Sequence, residues 1–266
     1  MSRCVSVKSG VGFLAAMAMV CCGLLFAPQA AKAQEKGARP AGGGAGQARP
    51  GATVAPLFLK VEWVRPASQT AQVPVVQENI VDSNVQMKLY GPGAKQLLTT
   101  GTPPGMPGAD VAPFGVWSGA CEAPFAITFK MKNSYVDLTG LANVRSFVKT
   151  SGFHEVRPVV KLPDGTMLVA DLAFTAVPML VENEFSLQGL RWLKLDPDRI
   201  VTMGRNPAPN NEIWVPEPDL SKVDEVGFVD LMPGSGHGTG GYIQLGQIEV
   251  FGKAIPRDAA SISSKN

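Results

Sequence analysis

The sequence predicts an all-β domain, an antiparallel β-sandwich, and two observations carry that prediction. Segments in which apolar and polar residues alternate recur at short intervals from residue 57 onward, and helical periodicity is poor throughout. Short alternating runs with frequent Gly and Pro between them are typical of antiparallel sandwiches. About 200 residues are available for the domain, which suits a single sandwich or barrel.

The strand candidates follow in chain order. They are 57–64, 85–90, 125–130, 135–138, 144–150, 155–162, 166–170, 184–187, 190–195, 223–232 and 243–251. In the first, Leu57, Leu59, Val61 and Trp63 share one face because side chains alternate along a strand. Residues 91–113 are rich in Pro and Gly and are expected to be irregular, and 220–225 is the modest candidate for one helical turn.

The tripeptide Pro163-Asp164-Gly165 lies between two alternating runs. Such a tripeptide favours a tight turn. The sequence therefore predicts a β-hairpin built from 155–162 and 166–170.

A glycine loop at 233–241 contains Gly236-x-Gly238-x-x-Gly241, the spacing of a dinucleotide-binding fingerprint. That fingerprint needs a helix directly after it, because the helix N-terminus holds the phosphates. Residues 242–251 are instead rich in β-formers. The loop is therefore predicted to be a hairpin-type connection between two strands.

The N-terminus has the order of a secretory signal: Arg3 and Lys8, an apolar run at 11–27, and the small-residue site Ala31-Lys32-Ala33. The expected organisation is a signal peptide at 1–33, a disordered Gly/Ala/Pro-rich linker at 34–56, a sandwich domain at 57–256 and a flexible tail at 257–266. The mature protein is expected to be secreted or periplasmic, with no membrane span after cleavage.

Cleavage after Ala33 would leave 21 basic against 22 acidic residues, since Arg3, Lys8 and Lys32 leave with the signal. The basic residues are scattered, so the charge pattern excludes nucleic acid as an expected partner. Cys4, Cys21 and Cys22 also leave, so Cys121 has no intrachain disulfide partner and is expected to be a small buried residue.

Six short segments of the sequence resemble those of a known protein family. They are VDLTGL at 136–141, SGFH at 151–154, RPVVKL at 157–162, VDEVGF at 223–228, DLMPGSGHG at 230–238 and IEVFGK at 248–253. Together they resemble a largely uncharacterised family of secreted bacterial proteins, whose domain is similar to a galactose-binding-like β-sandwich (jelly roll), like that of carbohydrate-binding modules. The resemblance covers roughly 57–256. It implies the fold more than the function, because such sandwiches serve in carbohydrate binding, adhesion and structure.

Assembled catalytic motifs are not evident. Cys121 with His154 or His237 would be the sole cysteine–histidine route, and neither histidine lies in a nucleophile-elbow or papain-like context. Two isolated histidines do not make a zinc site. The expected cofactor is therefore none, with structural calcium left open because Asp137, Asp230 and Glu249 offer oxygen ligands.

An enzyme that hydrolyses or cleaves glycans is one alternative function. Glu182 and Glu184 lie on the same face of an extended segment and could form a carboxylate pair. A structural or assembly module of the cell envelope is another, in which 91–113 would dock a protein partner.

Carbohydrate binding requires fewer special residues than catalysis does. It needs an aromatic ring that stacks on a sugar and a few polar groups that hydrogen-bond its hydroxyls. The sequence therefore predicts a non-catalytic protein that recognises an extracellular or envelope glycan. Trp63 and Trp192 lie in alternating runs and are expected in the core. The candidate ligand-binding residues are Trp117, His154, Arg157, Trp214, His237 and Tyr242.

Overall fold

The computed structural model describes residues 54–65, 72–100, 114–202, 214–232 and 240–257. The predicted signal peptide, most of the linker, residues 101–113, the core of the glycine loop with His237, and the C-terminal tail after Arg257 lie outside these ranges. Within them, no helix has the length and apolar character needed to cross a membrane.

The described part of the chain is all-β apart from two short 3-10 turns, Gln77–Asn79 and Pro92–Gln96. The strands are β1 (Leu57–Val61), β2 (Val85–Tyr90), β3 (Leu98–Thr99), β4 (Val116–Trp117), β5 (Phe125–Met131), β6 (Ser134–Asp137), β7 (Asn143–Thr150), β8 (Glu155–Lys161), β9 (Met167–Ala170), β10 (Phe174–Thr175), β11 (Val181–Ser186), β12 (Trp192–Asp196), β13 (Val201–Thr202), β14 (Trp214–Val215), β15 (Glu225–Asp230), β16 (Ile243–Phe251) and β17 (Lys253–Pro256).

Two antiparallel sheets form the domain. The nine-stranded sheet has the order β13-β12-β9-β8-β15-β5-β2, with β14 beside β12 and β10 beside β8. The six-stranded sheet has the order β11-β7-β16-β4-β3, with β1 also paired to β16. A small ribbon of β17 and β6 completes the pairing in the described residues. The predicted fold class, an antiparallel β-sandwich, is confirmed.

The core lies between the two sheets because each contributes one apolar face. Phe129 and Phe228 of the nine-stranded sheet and Val148 and Leu245 of the six-stranded sheet belong to one buried cluster, each no more than 1% exposed. Each such side chain contributes roughly 1.5–3 kcal/mol on burial. Trp192 is 1% exposed in the same cluster, as predicted. Trp63 packs against that cluster, edge-on to Phe129.

The predicted hairpin is confirmed. Strands β8 and β9 pair antiparallel, and the turn between them is closed by the Gly165 amide, which donates to the Leu162 carbonyl at 3.0 Å. Gly165 adopts φ of 93°, a backbone conformation that is costly for residues with a Cβ.

Three sequence predictions about local structure are wrong. Strands β15 and β16 flank the glycine loop but lie in different sheets, so the two strands do not form a hairpin. Residues 220–225 form no helical turn, because Val223 is held extended by paired backbone hydrogen bonds with Val136. Leu57 is 50% exposed, since the strand register shifts between Leu57 and Leu59.

Candidate functional site

A groove of about 880 Å³ opens beside the nine-stranded sheet. Its walls come from three segments: residues 138–140 after β6, residues 187–191 before β12, and β14 with the residues that follow it. Apolar side chains form much of the lining, and Thr139, Gln188, Arg191 and Glu217 add polar groups. We refer to it as the Trp214 groove. Its volume lies within the range of roughly 300–1,000 Å³ that is usual for small-molecule sites.

The position of Trp214 follows from strand pairing. Trp214 lies opposite Leu193 in the antiparallel pair of β14 and β12, while its neighbour Val215 lies opposite Trp192. Side chains alternate across a strand, so the fully buried Trp192 points to the core and Trp214 points to the other face. Trp214 is half-buried and lines the groove.

Arg191 covers part of the Trp214 ring. Its guanidinium carbon lies 4.5 Å from the ring centroid, which is the geometry of a cation–π contact. Arg191 Nε also donates to Asp171 Oδ2 at 2.8 Å, and the Arg191 backbone amide donates to Asp171 Oδ1 at 3.0 Å. The Arg191 side-chain hydrogen bond lowers the pKa of Asp171 below its ordinary value, so the carboxylate stays charged and holds the arginine in place.

Glu217 is the groove residue with an unusual backbone. It lies between Pro216 and Pro218 and adopts φ of 45°, in the left-handed region that non-glycine residues rarely occupy. Such conformations cost on the order of 1–3 kcal/mol and are often found at ligand sites. Glu217 is exposed and lines the groove, so its carboxylate is available to a ligand.

Arg157 is connected to the Trp214 groove through Asp171. Its Nη1 donates to the Asp171 carbonyl oxygen at 3.3 Å, and its Nε donates to Glu155 at 2.7 Å. Arg157 on β8 and Trp214 on β14 therefore lie in the same sheet, separated by β9 and β12. Asp171 and Arg191 connect these two predicted residues.

Trp117 and Tyr242 lie together on the other sheet. Their ring centroids are 5.9 Å apart with planes inclined by 53°. Both rings are half-buried. The predicted aromatic residues thus divide between two surfaces.

Of the two predicted histidines, only His154 is described, and its side chain is buried. His154 is 3% exposed, and its Nδ1 lies 2.6 Å from Oδ2 of Asp230, which is 1% exposed. This buried pair occupies the ring nitrogen inside the sandwich, so we leave His154 out of the proposed site. His237 lies outside the described ranges.

Cys121 is 2% exposed, as predicted. Burial, with a smaller contribution from the Asp230 charge, raises the pKa of its thiol to about 12. The thiolate is the reactive form, so we expect negligible alkylation of Cys121 by iodoacetamide at pH 8 in the native protein and full alkylation in denaturant. Peptide-level mass spectrometry measures both; rapid labelling of the native Cys121 peptide would contradict the burial.

Glu182 and Glu184, the carboxylate pair of the enzyme alternative, share one cation. Arg145 lies 3.5 Å from Glu182 and 3.2 Å from Glu184, and it also contacts Glu249 at 3.4 Å. Both glutamate side chains are about half exposed. The two carboxylates therefore belong to a surface ion-pair cluster around Arg145.

Three acids were expected as conceivable calcium ligands, and each contacts groups of its own. Asp137 accepts hydrogen bonds from Thr139, Asp230 lies against His154, and Glu249 lies against Arg145. The described residues contain no group of three or more His, Cys, Asp or Glu side chains arranged to hold a metal ion.

Sequence reasoning missed Arg191 and Glu217 as residues of the groove, and Asp171 as the carboxylate that binds Arg191. The segment Trp214-Val215-Pro216-Glu217-Pro218 offers a local signal, because paired prolines around an acid restrict its backbone. Asp171 and Arg191 are 20 residues apart, and their contact follows from the pairing of β9 with β12, which carries no local signal.

Comparison with solved structures finds β-sandwich carbohydrate-binding modules. The family 11 module from Clostridium thermocellum, in complex with a β-1,3-1,4-mixed-linked tetrasaccharide, is 13% identical, with 70% of this chain and 98% of the module covered and a TM-score of 0.39. The family 11 module of a cellulosomal cellulase from the same organism is 11% identical, covering 70% and 97%, with a TM-score of 0.35.

An exo-β-agarase is also similar, with 11% identity, 72% of this chain but only 26% of the agarase covered, and a TM-score of 0.34. No protein-family model and no curated protein matches the chain. At these identities and TM-scores, the fold assignment stands on the chain's own strand pairing, and the ligand assignment must stand on its own groove.

Proposed function

We propose that this protein is a secreted, non-catalytic carbohydrate-binding protein that recognises an extracellular or envelope glycan in the Trp214 groove. The observation that carries the proposal is that the half-buried Trp214 lines an 880 Å³ groove together with polar residues. Secretion is inferred from the N-terminal sequence.

The chemistry of the groove suits a sugar. A pyranose has one apolar face of C–H groups, which packs on an aromatic ring, and a rim of hydroxyls, which need donors and acceptors. Trp214 supplies the ring. Arg191 supplies donors, Glu217 supplies an acceptor, and Gln188 supplies both.

The clamp on Arg191 favours binding because it reduces the entropy lost when ligand binds. Asp171 accepts one hydrogen bond from the Arg191 guanidinium, which lies against Trp214, and a second from the Arg191 backbone amide. A side chain already fixed in its bound geometry loses less rotamer freedom on complex formation. The remaining face of the indole is the one on which a sugar would stack.

Replacement of Trp214 tests the proposal. We expect Trp214→Ala to weaken glycan binding roughly tenfold or more, since loss of one aromatic stack costs about 1.4 kcal/mol. A glycan array identifies the ligand with the wild-type protein, and isothermal titration calorimetry then compares the variant.

Phe153→Ala is the matched control, because Phe153 is 82% exposed and does not line the groove. It should bind as the wild type does. An empty array for the wild-type protein would refute carbohydrate recognition and favour the envelope-assembly function. Equal loss in both variants would mean that the groove is not the site.

A further inference from the structure

The outward face of the six-stranded sheet carries a second set of ligand-type side chains. Gln244 of β16 lies directly opposite Trp117 of β4 on one side and Lys149 of β7 on the other. Residues paired in this way present their side chains on the same face. Leu245 and Val148, which follow and precede these positions, are 0% exposed, so the row points away from the core.

Tyr242 extends this row. Its ring lies 5.9 Å from the Trp117 ring, and the Lys149 ammonium lies 5.2 Å from the Tyr242 centroid. We call Trp117, Lys149, Tyr242 and Gln244 the Trp117 platform. All four side chains are half-buried, so each keeps part of its surface in solvent.

The Trp117 ring packs against the backbone at Gly119. A Cβ added at Gly119 would lie 1.8 Å from the Trp117 ring, so the indole occupies the space that any side chain at position 119 would take. A ring fixed in this way is pre-organised for stacking, since little conformational entropy remains to be lost on binding.

The charge on Lys149 gives the ligand class. Among the residues that the structure describes, Lys149 has no carboxylate within ion-pair distance, whereas Arg145 on the same strand contacts three. The platform therefore combines two aromatic rings, one amide and one cation. That cation has no carboxylate partner among the described residues. An anionic group on a bound sugar would complement that cation.

We propose that the Trp117 platform binds an acidic polysaccharide. A sugar ring stacks on Trp117 and Tyr242, its carboxylate or sulfate pairs with Lys149, and the Gln244 amide hydrogen-bonds a hydroxyl. The inference shares its ligand class with the proposed function, but it rests on different residues: Trp214 belongs to the nine-stranded sheet and Trp117 to the six-stranded sheet. The protein would therefore hold two glycan chains at once.

Affinity gel electrophoresis of the full chain tests this with two matched pairs of polymers. Polygalacturonate is compared with its methyl ester, and dextran sulfate with dextran, so that each pair shares its sugar backbone and differs in charge. We expect retardation by at least one acidic polymer and weaker retardation by its neutral counterpart. The pair that responds distinguishes carboxylate from sulfate.

Three variants locate the site. Trp117→Ala and Lys149→Gln should each weaken binding of the acidic polymer roughly tenfold, while Trp214→Ala should leave it unchanged. Lys194→Gln is the charge control, because Lys194 is exposed on β12 of the other sheet and should have no effect. Lys149→Gln keeps the test valid if Trp117→Ala lowers stability, since it removes a partly exposed charge and leaves both aromatic rings in place.

The outcomes separate the two proposals. Absence of retardation by both acidic polymers overturns the platform inference, whatever the glycan array shows for the groove. Equal loss in Lys149→Gln and Lys194→Gln also overturns it, because binding would then follow net charge. Loss of acidic-polymer binding in Trp214→Ala alone would assign that polymer to the groove. Failure of the proposed function is instead an array on which the wild-type protein binds nothing.

Discussion

Gly227→Ala is expected to destabilise the domain severely. Gly227 lies in β15, which is hydrogen-bonded to β5 on one side and β8 on the other. A Cβ at this position would lie 2.0 Å from the Ile127 carbonyl oxygen and 2.6 Å from the Thr128 Cα. Both are backbone atoms of β5, so no side-chain rotation relieves the clash, and the central strands of the sheet must separate.

We expect Gly227→Ala to cost about 4 kcal/mol or more, which is a large share of the roughly 5–15 kcal/mol that stabilises an ordinary domain. Near-ultraviolet circular dichroism and urea denaturation measure the loss. Gly165→Ala is the control, because Gly165 also has a special backbone but nothing lies within 4 Å of its Cβ position. It should fold and lose only about 1–2 kcal/mol. A Gly227→Ala protein as stable as Gly165→Ala would contradict the close approach of β5 and β15.

Local pattern was sufficient for much of the fold. The alternating run at 243–251 is the strand β16 (Ile243–Phe251), and the run at 85–90 is β2 (Val85–Tyr90). Each of these strands packs one face on the core, so apolar and polar residues must alternate along it. That alternation is visible in the sequence. The turn at Gly165 likewise depends on neighbouring residues alone.

Pairing between distant strands was not available from local pattern. Apolar and polar residues alternate in both β15 and β16. Neither pattern indicates that β15 joins the nine-stranded sheet and β16 the six-stranded sheet. The same limit applies to the sites. Trp117 and Tyr242 are 125 positions apart in the sequence and meet because β4 pairs with β16. A residue type could be predicted at each position, but not the surface that the residues share.

The burial of Glu225 is a further feature that the sequence pattern does not predict. Glu225 begins β15, whose six residues are all buried, and it is itself 2% exposed. The sequence places an acid at the start of an apolar run, which is usual for a solvated strand end. Its burial depends on three partners from other strands, Tyr90, Thr128 and Lys161, and none is near it in sequence.

Glu225→Ala is expected to destabilise the domain by about 3 kcal/mol, because breaking a buried charged network by removing one member leaves the others unpaired. The Glu225 carboxylate accepts hydrogen bonds from the Tyr90 hydroxyl at 2.9 Å and the Thr128 hydroxyl at 2.5 Å, and Lys161 Nζ lies 3.6 Å away. Urea denaturation of the wild type and the variant measures the difference. Tyr90→Phe is the milder companion and should cost about 1 kcal/mol, since it removes one hydroxyl and keeps the ring.

The same network predicts how stability changes in alkali. Burial, and then the negative charge of Glu225, raise the pKa of Tyr90 well above its usual 10, so the folded state holds the phenol proton more tightly than the unfolded state. This contribution is complete below pH 10 and is lost as the pH rises above 10 toward the folded-state pKa, at up to about 1.4 kcal/mol per pH unit. The raised pKa of Cys121 adds to the pH dependence in the same range, so the informative quantity is the difference between wild type and Tyr90→Phe. The free energy of unfolding should fall less steeply between pH 10 and 11.5 in Tyr90→Phe; parallel curves would mean that Tyr90 ionises as freely in the folded domain as in the unfolded chain.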